Sequence, residues 1–174
     1  DAAPVDCSWT FTTGCSRSMD LSGRVVLITG GKRMGLAVAS AFAAGGADVA
    51  LAYNRSRADA EQAAVAVEAV GRRAIVSQAD LSCPDDCAQL VNDAAETLGR
   101  LDILINMASV YARTAYDELT EHEWDRGLVV DLKASFLYAL AAVPHMRALG
   151  GGRIVNFTDW VAASGRPRYP GFLP

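Results

Sequence analysis

Apolar runs recur along this chain, and stretches of helix length separate them. Five runs are short and almost entirely apolar, at residues 24–29, 48–53, 74–77, 101–106 and 153–158. The stretches between them are long enough for helices, from residue 36 to the glycine pair at 45–46 and at residues 57–70, 84–98 and 122–149. Strands that are apolar at nearly every position are typical of a parallel sheet covered by helices on both faces. The alternation therefore predicts an α/β fold built from βαβ units.

Right-handed connections between such units leave few possible strand orders. We expect an open, Rossmann-like, doubly wound parallel sheet in the order 3-2-1-4-5, with helices on both faces. The fifth strand is expected at an exposed edge, where unpaired backbone groups favour aggregation. An antiparallel arrangement of these strands would contradict the prediction.

The turn between the first strand and the first helix has the composition of a phosphate-binding loop. It reads Gly30-Gly31-Lys32-Arg33-Met34-Gly35. A strand that turns sharply into a helix directs unpaired backbone N–H groups and the positive end of the helix dipole at one point. Glycines let a phosphate approach the backbone closely, and two basic side chains add full charges. The turn is predicted to bind nucleotide phosphates, although an ordinary glycine turn between strand and helix can look the same.

Composition excludes several classes of function. The chain has 174 residues, a formal net charge of −4, 51% hydrophobic residues and 21% charged residues. These values describe one globular domain, and an acidic chain is unsuited to general nucleic-acid binding. No apolar run reaches the ~20 residues of a membrane span, so we expect a cytoplasmic protein without a membrane partner. The four cysteines lack the spacing of a metal site, and Cys83 and Cys87 are expected to be reduced, partly buried thiols.

Residues 1–18 differ from the rest of the chain. They are rich in Ser, Thr, Cys and small residues and show no hydrophobic periodicity. We expect this leader to be disordered and the nucleotide-binding domain to extend over residues 19–174, with Met19 as a candidate natural start.

From Leu21 onwards the chain resembles the short-chain dehydrogenase/reductase family, and within it the pteridine-reductase-like branch. The resemblance rests on three segments: the glycine turn with its Lys-Arg pair, Asn106-Met107-Ala108-Ser109, and the run from Arg153 to Trp160. The glycine turn is one residue shorter than the family pattern. The resemblance implies hydride transfer from a nicotinamide cofactor to a carbonyl or C=N carbon of a small molecule that is pteridine-like or 3-oxoacyl-like.

The residues after the second strand predict which nicotinamide cofactor is used. A chain that prefers NAD usually has a carboxylate there for the ribose 2′-hydroxyl, whereas this chain has Asn54, Arg55 and Ser56. An arginine and a hydroxyl can bind a 2′-phosphate, so NADPH/NADP+ is predicted, the alternative being a solvated loop arginine. The resemblance implies that Asp80 and Leu81 contact the adenine, although an aspartate at this place is also a common helix-start residue.

The resemblance assigns further residues to the cofactor and to catalysis. Asn106, Ala108 and Ser109 are implied to lie near the cofactor ribose, where a small Ala108 leaves room. Asp131 lies in the middle of the fourth helix, where the family has an asparagine that holds a water of the proton relay. Asp159 stands where most members of the family have the catalytic serine, and pteridine-reductase-like members have an aspartate at this place. The alternative role for Asp159 is to cap the end of the strand. Asp131 and Asp159 are therefore the candidate catalytic residues.

The family's Tyr-x-x-x-Lys has no counterpart in this sequence. Tyr169 is followed four residues later by Leu173, and Pro170 disfavours a helix there. The resemblance implies that the chain is the N-terminal part of an NADPH-dependent reductase and lacks the C-terminal strands and helices. We expect the chain to be inactive by itself. The full-length protein is expected to form a homo-oligomer through the fourth helix. A non-catalytic NADP-binding sensor and an interaction protein that uses the apolar fourth helix remain alternatives.

Overall fold

The computed structural model describes residues 19–30, 34–110 and 116–158, and the predicted leader lies outside them. Five parallel strands form one sheet in the order β3-β2-β1-β4-β5. The strands are β1 (Val25–Thr29), β2 (Asp48–Tyr53), β3 (Ala74–Gln78), β4 (Ile103–Asn106) and β5 (Arg153–Asn156). The predicted strand order and parallel arrangement are confirmed.

Two strand boundaries differ from the prediction by two residues, and two others by one residue, since β1 begins at Val25 and β3 ends at Gln78. β4 begins at Ile103, two residues later than expected, and β5 ends at Asn156, two residues earlier. The predicted run begins ahead of β4 because Leu101 and Asp102 are buried although they precede the strand. A residue at the end of an element can be buried without having strand structure, so the sequence pattern gives such boundaries only within one or two residues.

Three regular helices alternate with the first four strands: α1 (Gly35–Ala44), α2 (Arg57–Glu68) and α3 (Pro84–Leu98). The bounds of α3 are those predicted, because Pro84 occupies the first turn and Gly99, at φ 85°, ends the helix in the left-handed conformation. α2 ends two residues earlier than predicted, and a turn closed by Gly71 at φ 76° follows.

The fourth helix, α4 (Glu121–Ala148), is the longest element. A short 3-10 turn at Tyr116–Glu118 precedes it, and a capping box between Thr120 and Glu123 fixes its start. Its middle, Leu128–Lys133, is π-helical, which the prediction of one uniform helix missed. A π-helical turn contains an extra residue and frequently occurs at functional sites.

Each face of the sheet has its own core. Val26 and Ile28 of β1 pack on the side of α1 and α2, and Val25 and Leu27 pack on the side of α3 and α4. Burial of β1 on both faces is the reason for its uninterrupted apolar sequence. The core on the side of α3 and α4 also contains Cys87 as a free thiol, which is fully buried rather than partly buried as predicted. Cys83 is a free, partly buried thiol, as predicted.

β5 lies at an edge of the described sheet and is mostly exposed. Val155 and, just after the strand, Phe157 present 44% and 51% of their surface to solvent. The predicted exposed edge is therefore confirmed for the described part of the chain. Apolar side chains on an open strand edge favour association with another surface.

By length and composition alone, α4 satisfies the requirements of a membrane span, which differs from the prediction made from the apolar runs. This is weak support for a membrane helix, because core helices of globular proteins satisfy the same requirements. Along α4, every fourth residue from Ala134 to Met146 is buried against the sheet and α3. The helix thus has a packing role within the fold.

Two buried carboxylates lie at the amino ends of β2 and β4, on the opposite edge from the candidate site. Asp102 accepts hydrogen bonds from Arg24 at 2.8 Å, from Arg100 at 2.7 Å and from the Val25 N–H at 3.0 Å. Burial acts to raise the pKa of Asp102, but these hydrogen bonds outweigh it and hold the pKa below its ordinary value. Asp48 has a comparable environment with two other arginines.

Candidate functional site

The loops that follow β1 and β4 are in backbone contact at the carboxyl edge of the sheet. Gly30 has φ 69°, and a Cβ atom on it would lie 2.5 Å from the Cα of Ala108. The Gly30 N–H donates to the Ala52 carbonyl at 3.2 Å, and the Met107 N–H donates to the Thr29 carbonyl at 3.0 Å. Glycine is therefore required at position 30 by the β4 loop as well as by any phosphate nearby.

The start of α1 is free of negative charge. Its first turn contains no acidic residue, and its N-cap residue Met34 makes no side-chain cap, whereas α2, α3 and α4 each have a carboxylate in the first turn. The uncapped N–H groups and the helix dipole favour an anion at this point. Gly31, Lys32 and Arg33 lie outside the described residues, so their phosphate contacts stay a prediction.

The loop between β2 and α2 presents polar groups that make no hydrogen bond or ion pair with the described residues. Ser56 occupies the N-cap of α2, yet its side chain makes no capping hydrogen bond. Arg55 forms no ion pair with any carboxylate of residues 19–30, 34–110 and 116–158. The next arginine, Arg57, is bound to Glu61 at 2.7 Å. The loop can therefore offer a guanidinium and a hydroxyl to an anionic ligand.

The structure places Asp80 beside this loop and gives its carboxylate a local role. Asp80 Oδ1 accepts the Ser82 N–H at 3.0 Å and the Ser82 hydroxyl at 2.8 Å. These bonds, with the positive charge of Arg55, hold the pKa of Asp80 below its ordinary value. Asp80 Oδ2 has no partner within the described ranges and can accept from an adenine amine. Leu81 is 9% exposed and belongs mainly to the core under α3.

Asn106 joins the end of β4 to the end of β5. Its Nδ2 donates to Asn156 Oδ1 at 2.8 Å, and its carbonyl accepts the Phe157 N–H at 3.1 Å. Its Oδ1 is buried without a hydrogen-bond partner among the described residues. Asn106 therefore positions the neighbouring strand end.

Asp131 connects the π-helical turn of α4 to the β4 loop. Its Oδ1 accepts the Val110 N–H at 2.8 Å. Burial raises the pKa of this carboxyl group above its ordinary value, while the Val110 amide and the Ser109 side chain act in the opposite direction. The bond ties the predicted ribose-binding loop, with Ala108 and Ser109, to the middle of the helix.

Several predicted site residues therefore lie along one edge of the sheet. Gly30, Met34 and Gly35 follow β1, and the Asn54–Ser56 loop follows β2. Asp80 follows β3, and the Asn106–Ser109 loop follows β4. Asp159 and Tyr169 lie outside the described residues, and the role of Asp159 stays a prediction.

Sequence reasoning missed two residues that organise this edge. The Gln78 side chain donates to the Asn54 carbonyl at 3.0 Å, and Asn156 accepts from Asn106. Both are polar residues at the last position of a strand, which is the available sequence signal. That signal does not reveal the partner, because Asn106 ends a neighbouring strand and Asn54 directly follows one.

In the described part of the chain, a helix start that favours an anion, at α1, and an arginine without an ion pair, Arg55, lie at the carboxyl edge of a 3-2-1-4-5 parallel sheet. This arrangement is typical of a dinucleotide-binding α/β protein. Residues 24–171 match the short chain dehydrogenase family, and the chain belongs to that family. The family resemblance is thereby confirmed.

Individual relatives agree with this assignment. The chain is 31% identical to hydroxynaphthalene reductase arp2 of Aspergillus fumigatus over 150 residues, which are 86% of this chain and 54% of that protein. A short chain dehydrogenase from Burkholderia cenocepacia in complex with NADP has a similar structure, with TM-score 0.77, 38% identity, and coverage of 83% of this chain and 58% of that chain. A short-chain dehydrogenase/reductase from Serratia marcescens has TM-score 0.76, 34% identity, and coverage of 82% and 58%. The chain thus spans somewhat more than half the length of these relatives.

Proposed function

We propose that this chain is the cofactor-binding part of an NADPH-dependent reductase. The observation that carries the proposal is the Asn54–Ser56 loop, where Arg55 has no ion pair with a described residue and the Ser56 hydroxyl leaves the start of α2 uncapped. A ribose 2′-phosphate requires such a guanidinium and hydroxyl, and the loop has no carboxylate to repel it. The NADP complex of the Burkholderia relative supports the same cofactor.

The other edge residues fit the rest of the dinucleotide. The uncapped start of α1 suits the pyrophosphate, and Asp80 Oδ2 suits the adenine amine. Ala108 brings a small side chain to the ribose side of the site, in contact with Gly30. These assignments follow the order of the strands, so that one extended ligand along the edge would meet all of them.

NADPH, when bound, supplies a hydride to the acceptor carbon. The chain's own residues are proposed to position the reactants: the Asp131 carboxylate holds the β4 loop, and Asp159 orients the substrate heteroatom. A proton donor is required as well, and a tyrosine, with an ordinary pKa of ~10, needs a neighbouring cation to act near neutral pH. This sequence contains no Tyr-x-x-x-Lys, so we propose that the 174-residue chain binds the cofactor without turnover.

The substrate class is proposed from the residue types alone. Aspartate at position 159 and the basic pair in the glycine turn favour the pteridine-reductase-like branch, and a 3-oxoacyl-like substrate is the alternative. The acidic composition favours a small-molecule substrate over nucleic acid, and free rather than paired Cys83 and Cys87 suit the proposed cytoplasmic location.

Self-association through α4 is proposed from its exposed face. Large apolar side chains recur there at every fourth position and are 39–66% exposed, at Trp124, Leu128, Leu132, Phe136 and Leu140. An apolar stripe of this length on a surface helix favours contact with a second apolar surface, and we propose a second copy of the protein. Phe136→Glu is expected to shift the sedimentation equilibrium towards the monomer, and an unchanged mass distribution would contradict the proposal.

A non-catalytic NADP-binding sensor is the second candidate. Such a sensor would use the same Asn54–Ser56 loop to bind the cofactor and would not need a Tyr-x-x-x-Lys. NADPH consumption by the purified chain, measured by absorbance with aldehydes, ketones and pterins, tests the inactivity of this chain. We expect NADPH binding without consumption. Turnover would contradict the inactivity and make Tyr169 the first candidate for the proton donor, and absence of nucleotide binding would contradict both functions.

A further inference from the structure

The end of the pairing between β2 and β3 determines the position of the Asn54–Ser56 loop. Tyr53 lies opposite Gln78 in the parallel register, and the Ala79 N–H donates to the Tyr53 carbonyl at 3.0 Å. This is the last backbone hydrogen bond between the two strands at this end. After it, the chain bends away from β3 to reach the start of α2.

The Gln78 side chain continues the pairing by one residue. Its Nε2 donates to the Asn54 carbonyl at 3.0 Å, so that a side-chain amide replaces the backbone donor that β3 no longer provides. The Asn54 carbonyl makes no hydrogen bond with another described residue. The first residue of the loop is therefore fixed to β3 by this one bond.

Fixing Asn54 matters for the two residues that follow it. Arg55 is next in the chain and acts electrostatically on Asp80, which lies two residues after Gln78. Ser56, with φ −95° and ψ 60°, has a backbone conformation outside the usual N-cap region, and no capping bond from its side chain holds it. A loop with no other side-chain anchor among the described residues depends on the Gln78 bond for a defined geometry.

We propose that Gln78 is a positioning residue for the ribose 2′-phosphate of NADPH, through its bond to the Asn54 carbonyl. The proposal rests on the proposed function. It adds Gln78, which would not touch the phosphate, to Arg55 and Ser56, which would. Preorganisation of the loop lowers the entropy that Arg55 and Ser56 lose when they bind the phosphate. The effect is specific to ligands that carry a 2′-phosphate.

The test compares 2′,5′-ADP with 5′-AMP, two probes that differ in the 2′-phosphate alone. Isothermal titration calorimetry gives both dissociation constants for the wild-type chain, for Gln78→Met and for Gln89→Met. Methionine has nearly the length of glutamine and no N–H donor. Gln89 is an exposed residue of α3 whose side chain forms no hydrogen bond with the described residues, and it provides the matched control.

We expect Gln78→Met to weaken 2′,5′-ADP binding about 3- to 10-fold, the effect of losing one hydrogen bond, and 5′-AMP binding less than about 2-fold. Gln89→Met should change neither. If Gln78→Met weakens the binding of both probes by the same factor, or of neither, the positioning role is overturned while the proposed cofactor is unaffected. A wild-type chain that binds both probes equally would contradict the NADP preference itself, and with it the role of Gln78.

Backbone amide NMR relaxation gives a second readout that requires no ligand. In Gln78→Met, the order parameters of the Arg55 and Ser56 N–H groups should fall, while that of Ala79, whose N–H donates to the Tyr53 carbonyl, should keep its wild-type value. Unchanged order parameters at Arg55 and Ser56 would show that the loop is ordered without Gln78 and would overturn the proposal.

Discussion

Gly30 and Ala108 are in backbone contact across the carboxyl edge of the sheet, with no space between them for a side chain on residue 30. The contact joins the loop that precedes α1 to the loop that precedes α4. Each loop belongs to the candidate cofactor site, so the glycine determines how the two loops lie relative to each other. Its role is thus wider than conformational freedom within one turn.

The first prediction is that Gly30→Ala destabilises the fold by more than its backbone angle explains. Gly99→Ala is the matched control, because Gly99 also has positive φ, 85°, but a Cβ atom added there would meet no described atom within 4 Å. The left-handed angle alone costs a non-glycine residue about 1–2 kcal/mol. Urea denaturation should show a clearly larger loss for Gly30→Ala, and equal losses would mean that the Ala108 loop moves aside freely.

The second prediction concerns the ionisation of Asp131. Its pKa is raised in the folded state, so the charged form is disfavoured by folding, and stability from this residue decreases as pH rises from the ordinary value of 3.8 through the folded value. Asp131→Asn keeps an oxygen for the Val110 N–H and removes the charge. Its melting temperature should exceed that of the wild type at neutral pH, and the difference should shrink as the pH approaches 3.8.

Asp131→Ala separates the hydrogen bond from the charge. It removes the acceptor of the Val110 N–H and should destabilise the protein by about 1 kcal/mol relative to Asp131→Asn. A difference between Asp131→Asn and wild type that is independent of pH would contradict a raised pKa at this position.

The third prediction is that Asp102 stabilises the amino edge of the sheet. Asp102→Ala leaves Arg24, Arg100 and the Val25 N–H without their shared acceptor, and should cost about 1.5–3 kcal/mol in urea denaturation at neutral pH. Asp93→Ala, on the exposed side of α3, is the control and should cost little.

The pH dependence of the Asp102 contribution has the opposite sign to that of Asp131. The folded-state pKa of Asp102 is depressed, so its contribution is present above the ordinary aspartate value and is lost as pH falls through the folded value. Asp102→Ala should therefore differ less from wild type in acid than at neutral pH. A constant difference would contradict the ionised, arginine-bound state.

Much of the fold could be predicted because its strands are buried on both faces. β2 and α3 have the predicted bounds, since an uninterrupted apolar run marks the first, and Pro84 and Gly99 mark the second. The π-helical turn at Leu128–Lys133 could not be predicted, because it accompanies a tertiary contact between Asp131 and the Val110 N–H. Apolar periodicity in a helix with few polar residues gives no signal for one extra residue in a turn.

For the candidate site, the sequence allows a prediction where one residue type decides the chemistry. Arg55 indicates a 2′-phosphate from its charge and its place after β2. Gln78 and Asn156 were not predicted, because their roles depend on which strand end lies beside them. For Asp80, the Oδ1 atom accepts from Ser82 in the turn ahead of α3 and from no N–H of the helix itself, and its Oδ2 has no partner among the described residues.

The most direct test of the account is the affinity of the chain for NADPH and NADH, measured by calorimetry on wild type, Arg55→Ala and Arg57→Ala. We predict that wild type binds NADPH more tightly than NADH, and that Arg55→Ala weakens NADPH binding by about 1–3 kcal/mol with little effect on NADH. Arg57→Ala, whose guanidinium is already bound to Glu61, should retain the preference. Equal affinities in wild type, or an Arg55→Ala chain with undiminished NADPH binding, would contradict the assignment of this loop to the 2′-phosphate.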